Sequence, residues 1–212
     1  MNKKQGFGII LVLLFLLGTI IQAGAETIRF SADSVESVLA TGKESVRLRG
    51  SARVQTNRVE VTADEIVISG DNNRYIDARG SVFVYEKEKD IRLVGDRLFY
   101  DRTLDILRIT GNAMLDDKRN DIVARAGVIE SRGQENLSLI QIGVRILRTD
   151  MAARAEIVRY DRNRDILELT GQPVVFFEGD EYRAGRIQVD LKTDDILLEG
   201  RVQGTIVERS NE

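Results

Sequence analysis

The chain has 212 residues, 31% charged and 42% hydrophobic, with one proline and no cysteine, histidine or tryptophan. This composition supplies a core and a solvated exterior and argues against a long disordered protein. The missing histidine and cysteine exclude a Ser-His-Asp triad, a cysteine nucleophile, an ordinary zinc or copper site and a disulfide scaffold.

The first element reads as a targeting segment. Lys3 and Lys4 precede an apolar run from Phe7 to Ile21, followed by Ala23-Gly24-Ala25. A basic start, an apolar stretch and an A-x-A site predict a signal peptide over residues 1–25, cleaved before Glu26. The competing reading is an uncleaved anchor, although the stretch is short for a span of ~20 residues. No later segment is apolar enough to cross a membrane as a helix. Cleavage removes two lysines and takes the formal net charge from −3 to −5. An acidic chain without a basic block argues against a nucleic-acid partner.

Residues 26–212 read as one domain of repeats. Glycines recur at Gly50, Gly80, Gly111, Gly143, Gly171 and Gly200, in steps of 28 to 32 residues. A near-constant step of this size signals a repeat architecture. Apolar residues stand four before, two before and two after most of these glycines, as in Leu107, Ile109 and Ala113 around Gly111. Period two puts such columns on one face of a strand. The fourth copy has Leu139, Gln141 and Arg145 in these columns, so it reads as degenerate or out of register.

A second column of small residues lies between the glycines: Ala32, Ala63, Gly95, Ala126, Ala155 and Ala184. The apolar period is two up to this column, and then slips, because the next apolar position is three residues on (Val35, Ile66, Leu98, Ile129, Val158, Ile187). A strand that changes parity once must bend or bulge there. Each repeat therefore predicts two strands. Polar stretches at one phase of the repeat, Ser69–Arg74, Asp101–Asp105, Asp161–Asp165 and Leu191–Asp195, read as the turns between them. The predicted architecture is all-β and antiparallel, with about two strands ~4.8 Å apart per repeat, forming a rod of roughly 50–60 Å.

Candidate polar sites reduce to repeat features. Asp161-Arg-Asn-Arg-Asp165 resembles the start of a calcium loop, but Ile166 and Gln172 replace the glycine and glutamate it needs. Asp33, Asp64 and Asp96 recur once per repeat, which spaces them along the rod and not across one cleft. A corner role, satisfying exposed backbone N–H groups, fits them better than a pair of glycosidase carboxylates. Asn136-Leu-Ser138 is a sequon of a kind common by chance, and no phosphate-binding glycine loop is present. The inward columns read by default as a dry core. Their mix of Ala, Val, Ile and Leu, with few aromatics to fill a wide interior, leaves a lipid-accepting seam as the second reading.

The segments "LRITGNAMLDD" (107–117), "VEVTADEIVIS" (59–69), "LVGDRLFYD" (93–101) and "ARAEIVRYDRNRDILELTG" (153–171) resemble the repeats of the OstA-like/LptA family of periplasmic lipopolysaccharide transport proteins. The likeness runs from about Thr27 to Val207, with the fourth copy and the Pro173 rung departing from it. It implies an elongated open antiparallel β-jellyroll in the periplasm that carries lipopolysaccharide or a related glycolipid toward the outer membrane. It also implies acyl chains held in an apolar groove, other jellyroll proteins of the same type at the inner and outer membranes, and head-to-tail self-association through edge strands. It implies no catalysis, cofactor or metal. The inward residues expected to touch acyl chains are Val61, Ile66, Val82, Leu93, Leu98, Leu107, Ile109, Leu115, Ile129 and Leu167. Two alternatives stay open: a membrane-anchored LptC-like component that keeps its N-terminal helix, and a structural repeat protein with a filled core.

Overall fold

A computed structural model describes residues 27–38 and 44–207. The signal segment predicted over 1–25 lies outside the described residues. Among the described residues sixteen strands form one antiparallel sheet. Short strands β1 (Arg29–Ser31) and β2 (Ser34–Val38) precede eight long ones. These are β3 (Ser45–Gln55), β4 (Val59–Ser69), β5 (Tyr75–Glu86), β6 (Ile91–Asp101), β7 (Ile106–Asp117), β8 (Ile122–Arg132), β9 (Leu137–Arg148) and β10 (Met151–Asp161). Six short strands complete the sheet: β11 (Ile166–Thr170), β12 (Val174–Phe177), β13 (Asp180–Arg183), β14 (Arg186–Asp190), β15 (Ile196–Glu199) and β16 (Gln203–Thr205).

The turns follow from aspartate chemistry. Asp101, Asp117, Asp161 and Asp190 each accept backbone N–H bonds from residues two and three further on, as Asp101 does from Thr103 and Leu104 at 3.0 and 3.1 Å. Residues before the following strand, among them Asp90, Asp105, Asp121, Asn136 and Asp165, take positive φ. Asp and Asn tolerate that conformation better than other side chains. The D-x-x-x-D spacing is therefore a four-residue connection written in sequence.

The glycines mark a crease. Between β3 and β4 the register shifts after Arg49↔Glu65, so that Gly50 and Ser51 together oppose Asp64 before Ala52 pairs with Ala63. Two residues against one is a β-bulge, which bends the strand. The same shift recurs at Gly80, at Gly111 and in the fourth copy. Gly111 has φ 75° and packs on the Asp96 side chain, where an added Cβ would lie 2.8 Å from the Asp96 Cβ. Asp33 and Asp64 lie against Gly50 and Gly80 in the same way. These aspartates were expected to serve backbone N–H groups at a corner. They are instead the wall that keeps the facing position a glycine.

Every long strand thus has two arms on either side of the crease. At both ends of the sheet the crease breaks the strand outright. Strands β1 and β2 pair with the two halves of β3. After β10, Gly171, Gln172 and Pro173 separate β11 from β12, and a proline cannot donate to the ladder. From there β12, β13 and β16 continue one arm, while β11, β14 and β15 continue the other. The first and last strands do not pair, so the sheet is open. It is one creased slab about twelve strands long, roughly 50 Å at the usual strand spacing.

The fourth copy is in order, but one residue early. Ile142 (φ 74°) and Gly143 (φ 61°) form its bulge, where other copies have glycine first. The inward residues of β9 are therefore Ser138, Ile140, Val144 and Ile146, not Leu139, Gln141 and Arg145 as the glycine spacing suggested. The displaced isoleucine fits because β8 carries Gly127 where β4 and β6 carry aspartate. Ile142 occupies the space that an aspartate fills elsewhere, with its Cβ 3.0 Å from where a Gly127 Cβ would stand.

Candidate functional site

All ten predicted inward residues lie on the inner face. Val61, Ile66, Val82, Leu93, Ile109, Leu115, Ile129 and Leu167 are fully buried, and Leu98 and Leu107 nearly so. Val61, Val82, Leu93 and Leu115 sit on the arm nearer the β5–β6 turn. Ile66, Leu98, Leu107, Ile109, Ile129 and Leu167 sit on the other. Cross-strand pairing links them into continuous rows: Leu98 faces Ile109, which faces Ile129, which faces Ile140. Small pairs such as Ala52↔Ala63 and Ala113↔Ala126 line the inside of the crease. The glycine column alone pointed away from Ile140, Val144 and Ile146. The local alternation Ile140-x-Ile142-Gly143-Val144-x-Ile146 was the signal that could have found them.

The two arms close on each other at their free ends. Turns at one end of the strands contact turns at the other end, across the mouth of the fold. Arg58 pairs with Asp105 at 2.9 Å. Ser131 donates to Glu86 at 2.9 Å, and both are buried. Tyr160 donates through its hydroxyl to Asp117 at 2.7 Å, while Asn120 donates to Tyr160 and to Asp165. Arg119 pairs with Asp165 at 2.7 Å, and Arg148 with Asp194 at 2.7 Å. These partners stand 40 or more residues apart in sequence, which is why no local motif announces them.

The electrostatics of this mouth follow from its burial. Burial pushes the Asp165 carboxyl up, but hydrogen bonds from Asn120 and Lys192 and the charge of Arg119 outweigh it and hold the carboxyl below its usual range. Burial, and then the hydrogen bond to the Asp117 carboxylate, raise the Tyr160 phenol well above its ordinary value, so it remains a donor. Arg162, itself buried, donates to Ser138 and Ser131 at 3.0 and 3.2 Å. A polar cleft of about 690 Å³ runs along the mouth, lined among others by Lys89, Asp117, Arg119, Arg162 and Lys192. An apolar interior beneath a polar seam can shelter hydrocarbon only if the seam parts. No group of three or more acidic side chains placed to hold a metal ion occurs among the described residues. Nor is any helix there long and apolar enough to cross a membrane.

Residues 31–137 match the family model described as LptA/(LptD N-terminal domain) LPS transport protein. The solved structure of LptH, the LptA homologous periplasmic component of the lipopolysaccharide transport device from Pseudomonas aeruginosa, is similar over 86% of this chain and 96% of its own, at 13% identity and a TM-score of 0.28. No curated protein matches the chain. The family match covers half of the sequence, with β2 to β8 inside it, and the chain belongs to the LptA/LptD N-terminal domain family of LPS transport proteins.

Proposed function

We propose that this chain is a periplasmic carrier that passes lipopolysaccharide or a related glycolipid toward the outer membrane, with acyl chains lying between the two arms. In this reading the export signal is removed before Glu26 and the rest works as one jellyroll domain. The observation that carries it is the uninterrupted apolar inner face, in a member of an LPS transport family. A burial of ~0.8 kcal/mol per CH₂ makes even part of an acyl chain ample to hold a lipid. Sugars and phosphates would stay outside, along the polar mouth. The chain needs no catalytic residue for this task.

The ends of the slab support assembly with neighbours of the same type. Phe30 and Val35 continue the inner rows onto β1 and β2 and stand half exposed there. At the far end Ile196 and Leu198 continue them onto β15. Open strand edges beside uncapped apolar rows suit head-to-tail addition of another jellyroll.

One observation favours a second reading. The inner residues are sealed from solvent, as in a structural repeat protein with a permanently filled core. Photo-crosslinking in the native periplasm separates the two, with the probe at Ile109, which is inward, or at Arg108, which is exposed. The carrier reading expects a lipid adduct at Ile109 and none at Arg108. No lipid at Ile109 or at neighbouring inward positions, in a folded protein, leaves the filled core as the answer.

A further inference from the structure

The outer face of the sheet pairs opposite charges across strands. Glu36 faces Arg47, Glu65 faces both Arg49 and Arg79, Arg108 faces Glu130, Arg159 faces Glu168 and Arg186 faces Glu199. Two places break this habit: Arg79 faces Arg97 as a single pair, and a longer run lies on β8 to β10. Arg125 faces Arg145, and Arg145 faces Arg154, so three exposed arginines lie side by side on β8, β9 and β10. Like charges directly opposite one another destabilise a sheet. Among the described residues no ion pair to a carboxylate relieves them. The arginine Arg154 only overlies the Phe176 ring, at 5.9 Å.

A second row runs beside the first, two residues along each strand. Val123 faces Leu147, Leu147 faces Ala152, and Ala152 faces Phe176. Leu147 is 57% exposed. Arg145, Leu147, Ala152, Arg154 and Phe176 line a shallow depression of about 380 Å³ between the rows. The acids nearest the apolar row, Asp116 and Glu181, are engaged by Lys118 and Arg183. Glu156 lies toward the crease, packed on Gly171. The early bulge at Ile142 and Gly143 builds the patch, because it turns Arg145 and Leu147 outward and Val144 and Ile146 inward.

We infer that this face docks on an anionic phospholipid membrane surface. Parallel rows of exposed cations and of exposed or half-buried apolar side chains on one open face match the two layers of such a surface: phosphates for Arg125, Arg145 and Arg154, and the acyl boundary for Leu147 and Phe176. Nearby phosphates would also remove the like-charge repulsion that the free protein bears. The inference concerns the outside of the sheet and stands apart from what the inner face carries.

The test is co-sedimentation with vesicles, using the chain from Glu26 onward, which keeps every described strand and lacks the apolar N-terminal run. Phosphatidylglycerol vesicles should retain it and phosphatidylcholine vesicles should not. Retention should fall away in about 0.5 M salt, where screening leaves a range of only a few ångströms. The double variant R145E/R154E should bind about tenfold more weakly, and R145Q/R154Q should lose part of the affinity. Leu147→Ser should also weaken retention. Circular dichroism checks that each variant folds, and R97E/R201E, equal in charge change but elsewhere, should bind as the native chain does. Equal binding to both vesicle types, unchanged binding by both arginine variants, or an equal loss in R97E/R201E would overturn the inference. So would binding to an acidic peptide with none to phosphatidylglycerol.

Discussion

The Tyr160 hydroxyl donates to the Asp117 carboxylate at 2.7 Å across 43 residues of sequence, joining the C-terminal end of β10 to the C-terminal end of β7. The contact spans the mouth of the fold, so it measures whether the two arms are closed. Asp117 is also bound to the backbone N–H groups of Arg119 and Asn120, which orders its own turn.

Tyr160→Phe removes the cross-mouth donor to Asp117 and the hydroxyl that accepts from Asn120, while the ring stays buried. A buried acceptor losing one partner costs about 1–3 kcal/mol. Urea unfolding should show a loss of that size with an unchanged m-value. Hydrogen exchange should speed up in the turns at 118–121 and 162–165 before it does in the strands. An unchanged exchange pattern there would mean that the arms stay shut without this bond.

Acid should loosen the same mouth through Asp165. Its carboxyl is held below the usual range in the folded chain, so its contribution is full above the unfolded value of about 3.9. That contribution is lost as pH falls through the lower folded value. Stability of the native chain should therefore drop steeply below about pH 4. Asp165→Asn should be less stable at neutral pH by about 1–2 kcal/mol, allowing for the exposed partners Arg119 and Lys192. Its profile should be flatter in acid. Parallel profiles for the two proteins would remove Asp165 from the acid response.

The exchange between Gly127 and Ile142 is an experiment the chain has already performed. At Gly50, Gly80 and Gly111 an aspartate on one strand and a glycine on the next share one space, and Glu156 takes the aspartate's part at Gly171. Gly111→Ala should cost about 2–3 kcal/mol, from a strained positive φ and contact with Asp96. In D96G/G111A the contact is gone and the strain remains. The double variant should be more stable than the sum of the two single changes implies, by about 1 kcal/mol in a thermal or urea cycle. Strict additivity would show that Asp96 does not enforce the glycine.

Much of the fold is written locally. The glycine step, the small-residue column with its parity slip, and the D-x-x-x-D turns each report on neighbours within one hairpin. They were enough to predict paired strands, the bend and the inward faces of Leu98 or Ile109. Two things escaped for physical reasons. In the fourth copy, Gln141 and Arg145 mark the glycine count as degenerate or out of register, and the reason is a bulge one residue early, which exchanges the inward and outward positions counted from Gly143. The mouth contacts join turns more than one repeat apart, such as Arg58 with Asp105, and depend on how far the crease closes. No spacing in the sequence encodes that angle.

The exposed end of the inner face makes the final prediction. Val35 on β2 faces Leu48 and stands 49% exposed at the first edge of the sheet, where the next strand of a neighbour would cover it. Val35→Asp leaves the chain's own ladder intact and puts a charge in the row that a neighbour must bury. An unpaired charge there would cost several kcal/mol on association and little in the free chain. Sedimentation velocity over a concentration series should show the native protein forming longer species and V35D remaining monomeric, with equal thermal stability. If V35D associates as the native chain does, neighbours add elsewhere and the inner rows are not continued from one molecule to the next. If neither associates at any concentration, the apolar edge must await a different jellyroll as its partner, and V35D then becomes the probe for finding it.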